Sequence, residues 1–253
     1  MTLRLFVPAP LLAGAEMALP AGAARHAMVR RVQPGDELLL FDGSGPEWPA
    51  RVLAVTRSSV SVQLGAAQLL HRELPVNVTV ALVMPANERM DLLVEKATEL
   101  GVAQIQPLHS ERSVLRLGSQ GAERAERKRA HWQAVAQAAC EQCGRATVPP
   151  VAPVRALHDW LHEVQHGRLQ VAPARWLLSL QPGARGPSAQ AWPQQGLCTL
   201  SGPEGGFTPA EEGAAQAAGF VAVDLGPRVL RAETAPLAVL AWLALSRPIL
   251  QEG

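Results

Sequence analysis

Leu200-Ser201-Gly202-Pro203-Glu204-Gly205-Gly206-Phe207 stands between a segment of strand character at 197–201 and a helix that begins near Pro209. Three glycines and a proline within five residues make a tight turn that leaves backbone N–H and C=O groups open. Glycine also lets a ligand come close to that backbone. In an open α/β sheet, ligands sit at the carboxyl ends of strands, which is where this turn stands. The turn matches neither G-x-G-x-x-G nor the P-loop. Spacing alone therefore leaves two readings, a plain strand–helix connection and a ligand loop. About 20 residues later comes Leu225-Gly226-Pro227-Arg228-Val229-Leu230-Arg231-Ala232-Glu233-Thr234-Ala235, again between a strand and a helix. Here Glu233 or Thr234 can cap the final helix. Two polar turns, each at a strand end, favour a binding cleft over two idle loops.

Outward from these turns, the chain alternates. Strands are expected at 76–83, 105–108, 176–180, 197–201 and 220–225, and helices at 121–142, 155–166 and 233–245. Another helix follows Asn87, a candidate N-cap, with Met90, Leu93, Val94, Ala97 and Leu100 on one face and Gly101 as its stop. Alternating strands and helices predict a mostly parallel sheet covered on both faces. The start of the chain differs. Short strands at 37–41, 50–56 and 59–64, the turn Asp42-Gly43-Ser44-Gly45-Pro46 and one helix around His26 to Val32 predict a small barrel-like domain. Leu70 to Pro75 reads as the linker, which gives domains 1–72 and 73–253.

The 253 residues carry a net charge of +1, which speaks against a protein that coats polyanions. The charge is nevertheless banded: +2 over residues 1–72, −3 over 73–108, +3 over 109–145 and −1 over 146–253. Two bases are lysines, Lys96 and Lys128; the other 21 are arginines, a bias too global to assign to one site. Cys140, Cys143 and Cys198 form an odd set, not a disulfide framework. The C-x-x-C pair reads as structural. The apolar start, Leu5 to Ala15, is interrupted by Pro8 and Pro10, so it reads as strand and loop and not as a signal peptide. The longest apolar run, Ala235 to Leu245, is far short of the ~20 residues of a membrane span. A soluble cytoplasmic protein without a membrane partner is expected.

His162-Glu163-Val164-Gln165-His166 matches H-E-x-x-H, which on a helix would place two imidazoles beside a zinc with Glu163 as base. A third ligand is missing, and His158 and Asp159 extend a polar, solvated face. A zinc peptidase is kept as an alternative, but no metal site is expected.

Together, the two turns resemble the signature of the bacterial small-subunit ribosomal RNA uridine-N3 methyltransferases, which belong to the SPOUT class. The resemblance extends through Arg4-Leu5-Phe6-Val7, His26 before paired arginines, Phe41-Asp42-Gly43, Lys96-Ala97-Thr98-Glu99-Leu100-Gly101-Val102, Ser110-Glu111-Arg112 and Ala138-Ala139-Cys140-Glu141-Gln142-Cys143-Gly144-Arg145. It implies a PUA-like β-barrel that helps grip RNA, followed by a SPOUT-type α/β fold closed by a C-terminal trefoil knot. Local topology rules would never predict that knot. It further implies S-adenosylmethionine as cofactor, 16S ribosomal RNA or the small ribosomal subunit as partner, and a homodimer. An RNA-binding module without methyl transfer is the other alternative.

The resemblance assigns cofactor contacts to Leu180, Leu200, Gly202, Pro203, Glu204, Gly205, Gly206, Leu225, Gly226, Leu230, Thr234 and Ala235. For each leucine, packing in the core is an equal reading. Catalysis falls to Arg231 and Glu233. A guanidinium stays protonated, so Arg231 suits stabilising charge on the uracil oxygens. Glu233 is the better proton acceptor, or else orients Arg231 or caps the helix. RNA contacts are expected at Arg4, Arg30, Arg31, Arg112 and Arg145, with Arg116 as a further candidate; Arg112, Arg116 and Arg145 are read from the +3 band, and for each of them plain surface solvation is the other reading. The chain departs from the family after Met84. There a basic residue and a glycine are common and this sequence reads Pro85-Ala86-Asn87-Glu88-Arg89, so no RNA contact carries over to Ala86.

Overall fold

A computed structural model describes residues 2–8, 10–113, 121–181 and 183–246. The chain divides into two compact units, Met1–Glu73 with Gln137–Val148, and Leu74–Ala136 with Pro149–Gly253. A cut at 72/73 therefore assigns 137–148 to the second unit, whereas their contacts place them in the first.

The first unit is a six-stranded sheet built from β1 (Leu3–Phe6), β2 (Glu16–Ala18), β3 (Glu37–Phe41), β4 (Pro46–Val55), β5 (Val60–Leu64) and β6 (Gln68–Leu69). The order is β1-β3-β4-β5-β2, with β6 on β4; β1–β3 is parallel and the other pairs antiparallel. Strict alternation in β5 buries Val60, Val62 and Leu64 in a core shared with Leu5, Leu38, Leu40 and Val52. The helix expected from His26 instead spans Ala21–Val29 as α1 and buries Ala23, Ala24 and Ala27. Alanines give a weak apolar stripe, so the start was not visible in the pattern. Arg31 ends the helix in the left-handed region, at φ 58°.

The second unit is a six-stranded, all-parallel sheet in the order β12-β10-β11-β7-β8-β9. Its strands are β7 (Val78–Val83), β8 (Gln104–His109), β9 (Arg155–Ala156), β10 (Ala174–Leu178), β11 (Leu197–Ser201) and β12 (Val221–Val223). The helices are α2 (Asn87–Glu99), α4 (Leu157–Gln165), α5 (Pro209–Ala217), α6 (Thr234–Leu245) and the first part of α3 (Gly121–Cys143), whose residues from Gln137 onward belong to the first unit. The N-cap of α2 is Ala86, one residue before the expected Asn87. Gly101 does stop that helix. At φ +91° it completes a closing pair of bonds, Gly101 N–H to Thr98 O at 3.1 Å and Val102 N–H to Ala97 O at 2.9 Å.

Cys198 and Leu200 of β11 join Ala81, Leu177, Trp160 and Ala215 in the core under α4 and α5. Strand alternation sends Thr199 and Ser201 to the opposite face, where α6 packs on β11. The chain therefore leaves the edge strand β12 and returns to the middle of the sheet. Trp242 of α6 meets Trp176 of β10 at 6.0 Å and Trp192, in the connection from β10 to β11, at 5.7 Å. The last helix is thus held both by a strand and by the loop that leaves that strand.

Candidate active site

β10, β11 and β12 end side by side at Leu178, Ser201 and Val223, and all three residues line one cavity of about 610 Å³. A cavity of this size suits a nucleoside-containing ligand. Its walls are the segments that follow those strands.

After β11 the chain turns through Gly202 to Gly206. Gly206 N–H donates to Pro203 O at 2.9 Å, and Gly206 sits in the left-handed region at φ +67°. A Cβ on Gly202 would lie 3.1 Å from the Phe207 ring, which also lines the cavity. α5 then starts on a capping box: Glu211 N–H donates to Thr208 Oγ1 at 3.2 Å and Thr208 N–H to Glu211 Oε2 at 2.8 Å. After β12, Gly226 N–H donates to Asp224 Oδ1 at 2.9 Å with Gly226 at φ +103°. Arg231 O then accepts from Thr234 N–H and Ala235 N–H, which launches α6. Neither expected side-chain cap forms. Glu233 is the N-cap residue in helical geometry without a capping bond, and Thr234 is already inside the helix.

Of the expected cofactor residues, Leu180, Gly202, Pro203, Glu204, Gly206, Leu225, Leu230 and Ala235 line the cavity, as does Arg231. The others do not. Leu200 is fully buried in the core under α4 and α5, because strand alternation turns it away from Ser201. Gly205 faces Arg112, whose Nη1 donates to its carbonyl at 3.0 Å. Gly226 shapes its turn, and Thr234 is exposed on α6. Glu233 is 5% exposed and outside the lining, and its Oε2 finds no hydrogen-bond partner among the described residues.

Several lining residues were not foreseen: Ser179, Gln181, Glu212 and the hydroxyl-bearing Ser201 among them. The expected strand at 176–180 ran two residues too far and concealed Ser179 and Leu180 as loop residues. Ser179 Oγ donates to Glu212 Oε1 at 3.3 Å, and the Gln181 amide donates to Glu212 Oε2. The rule that ligands gather at strand carboxyl ends was the signal that could have found them. Ser201 Oγ, in a residue 2% exposed, has no partner among the described residues.

Two expected RNA contacts are corrected. Arg4 and Arg145 are 7% and 3% exposed, so neither can present its guanidinium to a phosphate. Arg4 pairs with Glu47, donates to Arg145 O at 3.1 Å and covers the Phe41 ring; Arg145 forks onto Glu73. Both hold the end of α3 within the first unit. Arg30, Arg31 and Arg112 are exposed, and Arg116 lies outside the described residues.

The H-E-x-x-H segment does lie at the end of α4, with His166 as its C-cap, but Glu163 is bound to Arg155 at 2.6 Å, which lowers its pKa, and the His162 and His166 rings lie 4.2 Å apart, tilted by 37°. Among the described residues, no group of three candidate ligands gathers to hold a metal. Burial pushes the thiols of Cys140 and Cys198 up to about 12, which leaves both protonated and inert at neutral pH.

The model of an RNA methyltransferase domain matches residues 72–244, and that of an RNA methyltransferase PUA domain matches residues 19–65. The ribosomal RNA small subunit methyltransferase E of Synechocystis is 32% identical over 85% of this chain and 68% of its own. That of Mycobacterium bovis is 35% identical over 85% and 80%. The crystal structure of a ribosomal RNA small subunit methyltransferase E from Neisseria gonorrhoeae, bound to S-adenosyl methionine, superposes with TM-score 0.87 at 36% identity over 95% of this chain and 96% of the other. A putative methyltransferase from Legionella pneumophila, in complex with the same cofactor, gives 0.87 at 30% identity over 96% and 97%. A PUA-type domain followed by a SPOUT-type α/β domain is thus the architecture here, and the chain belongs to the ribosomal RNA small subunit methyltransferase E family.

Proposed function

We propose that this protein transfers a methyl group from S-adenosylmethionine to N3 of a uridine in 16S ribosomal RNA. The observation that carries the reading is the cavity at the ends of β10, β11 and β12, enclosed by both signature turns. Its features fit the cofactor. Glycines bring backbone N–H and C=O groups to its wall, Leu178, Leu225 and Leu230 give it apolar surface, and Ser201 brings a buried hydroxyl without a partner among the described residues. When bound, the cofactor supplies an electrophilic methyl group on a sulfonium, so positioning dominates the chemistry.

The residues of the chain must then deal with the proton on uridine N3. Arg231 lines the cavity and stays cationic, so it stabilises the uracil anion as that proton leaves. Glu233 is buried and outside the lining, so it accepts the proton through an intervening water, on the Oε2 that has no partner among the described residues. The working form is a homodimer in the cytoplasm. Leu180 and Val229, 58% and 82% exposed on the cavity wall, offer a second copy apolar surface to cover. Among the described residues, no helix is long and apolar enough to cross a membrane.

The test joins calorimetry with S-adenosylmethionine to mapping of N3-methyluridine in 16S ribosomal RNA from a strain lacking the protein. Absence of cofactor binding would sink the reading. Arg231→Ala should keep cofactor binding and lose about 10²–10³ in turnover, the effect of removing one charge-stabilising donor.

A further inference from the structure

Arg89 lies in the first turn of α2, remote in sequence from both signature turns, yet it meets an acid from each. Its Nη1 donates to Glu204 Oε1, in the turn after β11, at 3.1 Å. Its Nε stands 3.9 Å from Oε1 of Glu233, at the start of α6. One guanidinium thus addresses two carboxylates through different nitrogens, held at a fixed spacing that a flexible ammonium does not provide. Glu233 needs such a partner. Its side chain is 6% exposed, and Oε2 has no partner among the described residues. A carboxylate held in so dry a place with neither cation nor donor would be costly.

We propose that Arg89 is a positioning residue for methyl transfer, acting on the cofactor turn through Glu204 and on proton transfer through Glu233. This inference rests on the methyltransferase reading above and adds a residue to it. Glu204 lines the cavity directly, so its bond to Arg89 fixes where that turn stands against the bound cofactor. At the other end, Arg89 stands at ion-pair distance from Oε1 of Glu233, which leaves Oε2, without a partner among the described residues, as the acceptor. The two roles are separable because they run through different nitrogens and different carboxylates. The first should act on cofactor affinity, and the second on the rate at saturation.

The test uses the full chain and two readouts, the calorimetric Kd for S-adenosylmethionine and kcat on small-subunit RNA at saturating cofactor. Arg89→Ala should weaken Kd about five- to tenfold and lower kcat by at least about tenfold, the size of coupling expected between contacting groups. Arg89→Lys should recover Kd in part, with kcat remaining low. In a Glu204→Gln background, the effect of Arg89→Ala on Kd should fall to about twofold or less; in a Glu233→Gln background, so should its effect on kcat. Effects that multiply independently in both backgrounds, or an Arg89→Ala protein that folds and keeps wild-type Kd and kcat, would overturn the proposal. Failure of the wild-type protein to bind the cofactor would overturn the methyltransferase reading itself, a result distinct from either. Should Arg89→Ala not fold, the Lys variant and the two glutamine backgrounds carry the same comparison.

Discussion

Thr199 and Ser201 sit two residues apart on β11, both buried and both with hydroxyls lacking a partner among the described residues. Each is a liability to the fold, since an unsatisfied buried hydroxyl costs about 1–3 kcal/mol. Only Ser201 lines the cavity, so only its hydroxyl can be satisfied by a ligand. The two residues should therefore respond differently to deletion. Thr199→Val, close in shape, should raise Tm and leave cofactor affinity alone. Ser201→Ala should also keep or raise Tm, yet weaken the Kd for S-adenosylmethionine by about three- to tenfold, the net worth of one neutral hydrogen bond. Calorimetry and thermal melts read both quantities, and equal Kd in the two variants would remove Ser201 from the site. The sequence singled out the turn that Ser201 opens but gave its hydroxyl no role. A partnerless atom is a property of the packed strand, and no spacing reveals it.

At the scale of elements, signals that depend on a few consecutive residues carried over well. Helix α5 begins where Pro209 suggested, because Thr208 and Glu211 close a capping box, and α2 stops at Gly101 for a local reason too. Thr208→Ala should thus cost about 1 kcal/mol in urea unfolding, the usual loss of an N-cap, with little effect on the second signature turn. A loss beyond about 3 kcal/mol would mean that Thr208 also holds the cavity wall. Elements fixed by remote partners were read less well. β2, β6 and β9, with three, two and two residues, carry no period long enough to recognise. β10 stops at Leu178 because its neighbours β11 and β12 end beside it, at Ser201 and Val223. The return of α6 over the sheet was likewise absent from periodicity and entered only through resemblance.

For the whole molecule, the decisive quantity is how much of the positive charge can reach RNA. Net charge is +1, and the basic bands at 1–72 and 109–145 suggested five phosphate contacts. Packing withdraws two of them: Arg4 and Arg145 are spent on Glu47 and Glu73 inside the first unit. Sequence cannot distinguish a solvated arginine from one locked on a carboxylate 43 or 72 positions away. Arg30, Arg31 and Arg112 remain exposed. If those three make the phosphate contacts, log Kobs for single-stranded RNA should fall against log salt with a slope of about −2, at ~0.7 per contact. Replacing Arg30 and Arg31 together by Gln should then flatten the slope by about 1.4. Arg145→Gln should instead lower Tm, by freeing Glu73 and loosening the end of α3, and leave the slope unchanged. A filter-binding titration over salt separates these outcomes. A slope steeper than about −4 would show that further cations touch the backbone. A change in slope for Arg145→Gln without loss of Tm would return that residue to the RNA face. On the shallow slope, selection of the target uridine has to come from shape and from the pocket around Arg231, since few charges are left to attract RNA indiscriminately.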